Sequence, residues 1–121
     1  MKWHLKLDVQ VRKDAEQLML YKLDTCLAKQ ISSLVCKRFE LPQVKIRFLK
    51  EHPDVLGFYS YCLVELYGQG KNVECLVHEL SHHLADNRKD KLQHGKKFIQ
   101  AYTELIQIAK NFLKEKEYEQ D

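Results

Sequence analysis

The first half of the chain changes from a period of two to a helical period. The apolar positions of its first eleven residues are Met1, Trp3, Leu5, Leu7, Val9 and Val11. Side chains point alternately to the two faces of a strand, so this pattern predicts a half-buried strand over residues 1–11. From about Asp14, apolar residues recur at steps of three and four, as Leu20, Leu23, Leu27, Ile31 and Leu34. This spacing predicts one long amphipathic helix that Asp14 caps and that ends near Phe39, before Pro42.

The second half predicts short strands followed by two helices. Alternation at Val44, Ile46 and Phe48 predicts a strand, and the aromatic and β-branched run over 57–67 predicts one or two more. A helix is expected from about Asn72, a good N-cap, to about Asp86. Another opens near Gly95, with an apolar stripe of Phe98, Tyr102, Leu105, Ala109 and Phe112. Beyond Lys114 we expect a solvated, fraying end.

This order of elements indicates an α+β fold with a small sheet. We expect the long N-terminal helix to pack on an antiparallel or mixed sheet, followed by the two later helices. The length of 121 residues fits one domain, residues 1–121, and 45% hydrophobic with 31% charged residues is a globular balance. No apolar run approaches the roughly 18 residues of a membrane span, and no signal peptide is recognisable. We therefore expect a cytoplasmic protein without a membrane partner; the pattern indicates no particular oligomeric state.

The cysteines and the net charge exclude several classes of protein. The four cysteines are Cys26, Cys36, Cys62 and Cys75. None belongs to a C-x-x-C pair, which excludes a zinc ribbon, and we expect reduced thiols. The net charge of +3 is too small to indicate nucleic-acid binding by itself.

Residues 78–82 read His-Glu-Leu-Ser-His, an H-E-x-x-H motif on a predicted helix. Positions i and i+4 share one helix face, so His78 and His82 can bind one metal ion, and imidazole ligands suit Zn²⁺. Glu79 lies beside the open position of such a metal, where a carboxylate can take a proton from water. Incidental histidines on an exposed helix face are the structural alternative.

A third metal ligand is expected after this helix. His83 follows His82 directly and points about 100° away, so it does not reach the same ion. We expect it either at the rim of the site or behind the ligands, where it supports them. His94, at the start of the last helix, can fold back onto the motif and is the favoured ligand. Glu104 is the minor alternative, since it would make a different type of site. Cys75 lies on the same helical stripe as His78. It is either a further metal ligand or, more simply, the next core position of the helix.

Together, the motif and the following His94-Gly95-Lys96-Lys97-Phe98 resemble the SprT-like zinc metallopeptidases, over about residues 57–105. That group pairs H-E-x-x-H with a later H-G-x-x-F. The resemblance implies a zincin-like fold, Zn²⁺ held by His78, His82 and His94, and Glu79 as catalytic base. It also implies that Gly95 sets a turn and that Phe98 locks the last helix into the core. Lys96 stands where many members have proline, and no zinc ribbon is present, so a role in DNA–protein crosslink repair is not implied.

The leading hypothesis is therefore a zinc-dependent metallopeptidase that hydrolyses protein or peptide substrates. The alternative is a zinc-stabilised binding or adaptor protein that keeps the metal site and cleaves nothing; a metal-dependent hydrolase of non-peptide amides is a third, weaker hypothesis. Four tyrosines could donate a hydrogen bond to the oxyanion formed during hydrolysis, although packing is their simpler role: Tyr59, Tyr61, Tyr67 and Tyr102. The strand around 59–66 could bind a substrate backbone by strand addition.

Basic residues surround His94 in the sequence and outnumber the nearby Asp86 and Asp90. They are Arg88, Lys89, Lys91, Lys96 and Lys97. Such a rim would attract acidic polypeptide or nucleic acid, and a solvated loop is the alternative interpretation.

Overall fold

In the computed structural model, residues 3–89 and 93–119 are described, and they form four α-helices and one three-stranded mixed sheet. The elements are α1 (Val9–Leu18), α2 (Thr25–Arg38), β1 (Lys45–Leu49), β2 (Gly57–Ser60), β3 (Leu63–Tyr67), α3 (Val73–Asn87) and α4 (Lys96–Glu119). Short 3₁₀ turns cover Trp3–Lys6 and Gly68–Gly70. The predicted α+β class is confirmed.

The sheet has the order β1-β3-β2, with β3 in the centre. β1 pairs in parallel with β3, with Lys45 opposite Leu63. β2 pairs antiparallel with β3, with Gly57 opposite Leu66, so the predicted run over 57–67 is two strands of a hairpin. Cys62, in the turn between them, has a positive φ of 57°. β2 thus lies at one edge of the sheet, next to the helix that carries the motif.

The predicted strand over residues 1–11 is wrong within the described residues. Trp3–Lys6 is a 3₁₀ turn and α1 starts at Val9, where Asp8 caps it by accepting the N–H of Gln10. The residues that pack inward follow a helical spacing instead of the alternation. They are Leu7, Val11, Ala15 and Leu18, at steps of four, four and three; Val11 is half-buried and the other three are buried. Two alternating positions that a strand would bury, Leu5 and Val9, are 60% and 56% exposed.

The single long helix from Asp14 to Phe39 is also wrong, because the chain breaks between α1 and α2. Residues 21–23 pair with the chain before α3: Leu23 N–H donates to Lys71 O, and Val73 N–H to Tyr21 O. Asp24 then caps α2 by accepting the Leu27 N–H at 2.7 Å. Asp14, the expected cap, lies inside α1 and forms an ion pair with Lys110 at 3.1 Å. The predicted end near Phe39 is confirmed.

Helix α3, rather than an N-terminal helix, makes the main helical contact with the sheet. It packs against β2 and β3 on one side and against α4 on the other, while α1 and α2 pack on α3 and α4. Val73, Leu76, Val77 and Leu80 are fully buried. The limits predicted for this helix are confirmed, including the cap: Asn72 accepts the Cys75 N–H at 2.9 Å.

The last helix begins one residue after Gly95, as predicted, but it does not fray after Lys114. α4 continues to Glu119. Its last turns contact the N-terminal half of the chain: Lys116 Nζ donates to Gln30 at 2.7 Å, and Tyr21 donates to Glu117 at 2.8 Å. None of the described helices is long and apolar enough to cross a membrane.

Gly70 is buried in the turn before α3, where a larger side chain should destabilise the fold. A methyl group on Gly70 would overlap the backbone carbonyl of Leu56, which accepts the Tyr67 N–H at 2.9 Å. Gly70→Ala should therefore lower the free energy of unfolding by about 1–3 kcal/mol, measured by urea denaturation. Gln69→Ala, at the exposed neighbouring position, is the control and should change it by less than about 0.5 kcal/mol. Equal stabilities of the two variants would contradict the assigned contact.

Candidate metal centre

His78 and His82 lie on one half-buried strip of α3, as the motif predicts. Their ring centroids are 5.1 Å apart. The helix buries Val77, Leu80 and Ser81 around them, whereas the two imidazoles are half-buried. The helix itself therefore fixes the separation and direction of the two imidazoles.

His94 reaches the same place from the start of α4. Its Nε2 atom lies 3.2 Å from Nε2 of His78. Zinc–nitrogen bonds of about 2.0–2.1 Å in a tetrahedral arrangement separate two nitrogen ligands by roughly 3.3 Å. Donor atoms of His78, His82 and His94 all lie within 4.8 Å of one another. These three histidines form a half-buried group that could hold a metal ion.

The other ligands considered from the sequence are engaged elsewhere. Glu104 is ion-paired with Arg88 at 2.8 Å. Burial raises the pKa of the Cys75 thiol to about 12, which keeps it protonated and a poor ligand. Among the described residues, neither belongs to the metal-binding group.

His83 is buried, which excludes the rim of the site, one of the two positions expected for it. Its exposure is 3%, and its Nε2 lies 2.8 Å from the carbonyl of Pro42. Since that carbonyl can only accept, Nε2 carries the proton and Nδ1 accepts from the Tyr59 hydroxyl, also at 2.8 Å. His83 therefore ties β2 and the segment before β1 to α3, the helix that carries His78 and His82.

Glu79 lies beside the three histidines with its carboxylate in a narrow space. It is 7% exposed, and Oε2 is 4.0 Å from Nε2 of His78. Gly57, the first residue of β2, makes this space: a methyl group there would lie 3.0 Å from Oε2. The absence of a side chain at position 57 thus lets the carboxylate lie between the strand and the histidines.

The electrostatics suit a neutral ligand set next to a titratable acid. Burial, with the neighbouring His82 and His94, lowers the pKa of His78 to about 3, and burial lowers the pKa of His94. Neutral imidazole is the form that binds metals. Burial, with a smaller effect from Glu74, raises the pKa of Glu79 to about 7. A cation held by the histidines would lower that pKa again.

The site opens into a cleft of about 430 Å³ whose walls come from β2 and α3. His78, Glu79, His82 and His94 line its floor and sides. The β2 side contributes Gly57, Tyr59 and the partly exposed Val55, Phe58 and Tyr61. The candidate ligands and the candidate base therefore face one space that a polypeptide segment could enter.

Only two of the four tyrosines proposed as oxyanion donors line this cleft. Tyr102 donates to buried Glu74 at 2.7 Å, and Tyr67 donates to Glu65 at 3.2 Å. Tyr61 lies at the mouth of the cleft and is 80% exposed. Tyr59 lies deeper, and burial raises its pKa to about 12. Its hydroxyl is already used in the hydrogen bond to His83.

Two of the basic residues near His94, Arg88 and Lys97, are engaged in contacts within the protein. Arg88 pairs with Glu104 and lies over the ring of Phe39 at 5.6 Å, and the ammonium of Lys97 donates to the Arg88 carbonyl. Lys91 and Asp90 lie outside the described residues. Lys89 and Lys96 are exposed. These contacts favour the interpretation as a solvated loop over a nucleic-acid surface.

Two contributors to the site were missed from the sequence. Trp3, assigned to a strand, stacks on His94 with ring centroids 5.1 Å apart. Glu74, one turn before His78, accepts the Tyr102 hydroxyl and joins α3 to α4 behind the histidines. Its spacing of four residues from His78 is the one hint that could have indicated it.

No family model, no curated protein and no solved structure matches this chain. The chemistry of the site is therefore inferred from its own residues.

The three-histidine group predicts one divalent metal ion per chain. His94→Ala should weaken zinc binding by on the order of 100-fold or more, because one of three ligands is lost. Native mass spectrometry and competition with a chelating dye would measure it. His52→Ala, outside the group, is the matched control and should bind zinc like the wild type. Undiminished zinc binding by His94→Ala would remove His94 from the site.

Glu74 predicts a pH dependence of stability in the metal-free protein. Burial raises the pKa of its carboxyl above the ordinary value of 4.5, although the hydrogen bond from Tyr102 opposes this. The folded state then binds the proton more tightly than the unfolded state, so this contribution to stability is lost as pH rises above 4.5 through the raised pKa. Glu74→Gln keeps an acceptor for Tyr102 and removes the titration.

We therefore expect Glu74→Gln to gain stability relative to the wild type as pH rises from about 4.5 to 8. Urea denaturation in the presence of chelator, at several pH values, would measure this difference. Glu115→Gln, at an exposed position on α4, should show no such trend. A constant difference between Glu74→Gln and the wild type would mean that this carboxyl does not titrate with folding.

Proposed function

We propose that this protein is a zinc-dependent metallopeptidase of the SprT-like type, with a zincin-like arrangement of its metal-binding helix. The observation that carries the proposal is the placement of His78, His82, His94 and Glu79 around one cleft beside an edge strand. A metal site without this carboxylate and cleft would suit many other roles.

The donor set favours zinc and an open coordination position. His78, His82 and His94 offer three nitrogen atoms, and three protein ligands are typical of catalytic zinc, whereas structural zinc usually has four. Zinc bound here would act as a Lewis acid, lowering the pKa of a water molecule and polarising a carbonyl group. The chain's own residues supply the remaining chemistry.

Glu79 is the proposed proton carrier. Its carboxylate takes a proton from water as the water oxygen attacks the carbonyl carbon of the peptide bond. The C–N bond then breaks, and the same proton passes to the departing amine. The products are an amine and a carboxylic acid, which releases its own proton to water at neutral pH. Burial raises the pKa of Glu79 to about 7 in the metal-free protein, and zinc would lower it, so that the carboxylate form that accepts the proton prevails at neutral pH.

The edge strand β2 is the proposed guide for the substrate. Among the described strands, β2 pairs only with β3, so its outer edge can accept the backbone of an extended polypeptide. That edge borders the cleft, and Val55, Phe58 and Tyr61 are exposed at its mouth. An extended chain with apolar side chains would therefore lie across the histidines and Glu79.

The decisive change is Glu79→Gln. It keeps the size of the side chain but removes the proton acceptor, so cleavage should fall by on the order of 100- to 10,000-fold while zinc content stays at the wild-type level. A degenerate peptide library incubated with zinc-loaded protein and read by mass spectrometry would measure cleavage. Glu104→Gln, which the structure places in a surface ion pair, is the control and should cleave normally.

Two outcomes would count against the proposal in different ways. Cleavage by Glu79→Gln at the wild-type rate would remove Glu79 from the mechanism. No cleavage by the zinc-loaded wild type, together with unfolding on removal of zinc, would favour the zinc-stabilised binding protein. That alternative draws on one observation: the ligands come from both α3 and the start of α4, so a bound ion would join the two helices.

A further inference from the structure

The N-terminal 3₁₀ turn contacts the metal centre through one side chain. Trp3 is the only tryptophan of the chain. Its ring stacks on His94 at 5.1 Å with an interplanar angle of 15°, and it lies 5.4 Å from the ring of His78. Phe98 and Tyr102 meet it edge-on, at 5.1 and 5.0 Å. No residue of Trp3–Lys6 is fully buried, and these ring contacts join the turn to the site.

The third ligand has less backbone support than the other two. His78 and His82 are held by the interior of α3, whereas His94 precedes the first residue of α4. Its φ of 57° is in the left-handed region, which costs energy for a residue with a side chain. The orientation of its imidazole therefore depends on the rings around it, which are Trp3, His78 at 5.1 Å, His82 at 4.9 Å and Phe98 at 4.7 Å.

We propose that Trp3 is a positioning residue for His94, and that stacking of the indole on the imidazole sets the metal affinity of the site. Trp3 supplies the flat face parallel to His94, whereas Phe98 meets it edge-on. The indole holds the imidazole with its Nε2 toward His78, so the ligand set is formed before the metal arrives. This inference rests on the metal-binding part of the proposed function and does not require catalysis.

The test compares side chains of different shape at position 3 and measures zinc affinity by competition with a chelating dye. Trp3→Phe keeps a ring and should stay within about threefold of the wild type. Trp3→Leu fills much of the space without a ring and should bind zinc about five- to tenfold more weakly. Trp3→Ala should lose more than Trp3→Leu. Leu5→Ala changes an exposed residue of the same turn and should leave zinc affinity unchanged.

Two further measurements separate positioning from a general loss of structure. In a His94→Ala background, Trp3→Leu should weaken zinc binding no further, because the residue it positions is absent. With Co²⁺ in place of zinc, Trp3→Leu should alter the visible absorption bands that report coordination geometry, whereas Leu5→Ala should not. Circular dichroism of the metal-free variants checks that each remains folded.

The inference is overturned if Trp3→Leu binds zinc as tightly as the wild type, or if it loses the same affinity with and without His94. Either result can occur while Glu79→Gln still abolishes cleavage, so the two proposals fail separately. A wild type that binds no zinc would overturn both. If Trp3→Ala does not fold, the comparison of Trp3→Phe with Trp3→Leu still decides the matter.

Discussion

The burial of α3 between the sheet and α4 is the constraint on which the rest of the structure depends. Val73, Leu76, Val77 and Leu80 are fully buried, so the helix can neither rotate nor slide without exposing apolar surface. Its orientation in turn fixes the strip that carries His78 and His82. The same packing brings Gly57 of β2 against Glu79, because β2 packs on α3 beside that strip. The packing of the core therefore also determines the geometry of the candidate metal centre.

Helix α3 also buries four polar or charged side chains near the motif, and three of them are satisfied by hydrogen bonds. Glu74 accepts from Tyr102, the Ser81 hydroxyl donates to the Val77 carbonyl at 2.7 Å, and His83 lies between Tyr59 and Pro42. Glu79 differs, since its carboxylate approaches His78 at 4.0 Å within the cleft. Buried polar groups are normally paired, and a buried acid with a raised pKa beside a cleft is typical of a functional site. This contrast sets Glu79 apart from the structural residues of the same helix.

The sequence predicted the parts of the fold that local chemistry determines. Asn72 caps α3 through its own side chain, and the strand-forming run over 57–67 and the start of α4 lie next to glycines, so short stretches of sequence suffice. The placement of His78 and His82 on one face follows from the periodicity of a single helix. The break between α1 and α2 was missed because it depends on pairing of residues 21–23 with the chain before α3, which no local pattern records. The choice between the two positions expected for His83 stayed open for the same reason, since its partners lie on β2 and before β1.

The failed prediction at the N-terminus and the proposed role of Trp3 have one physical cause. Alternation over residues 1–11 would suit a strand, but β1 and β2 are the edge strands of the described sheet and no N-terminal strand is added to them. Instead, α1 buries a helical stripe of apolar residues. Trp3 is then left outside the sheet and finds its apolar surroundings among the rings of His78, His94, Phe98 and Tyr102. An aromatic side chain is a costly group to leave in water, so this packing stabilises the segment and the histidine together. Local pattern and tertiary structure disagree where the segment packs against the candidate site, and functional sites are where such disagreements are expected in proteins.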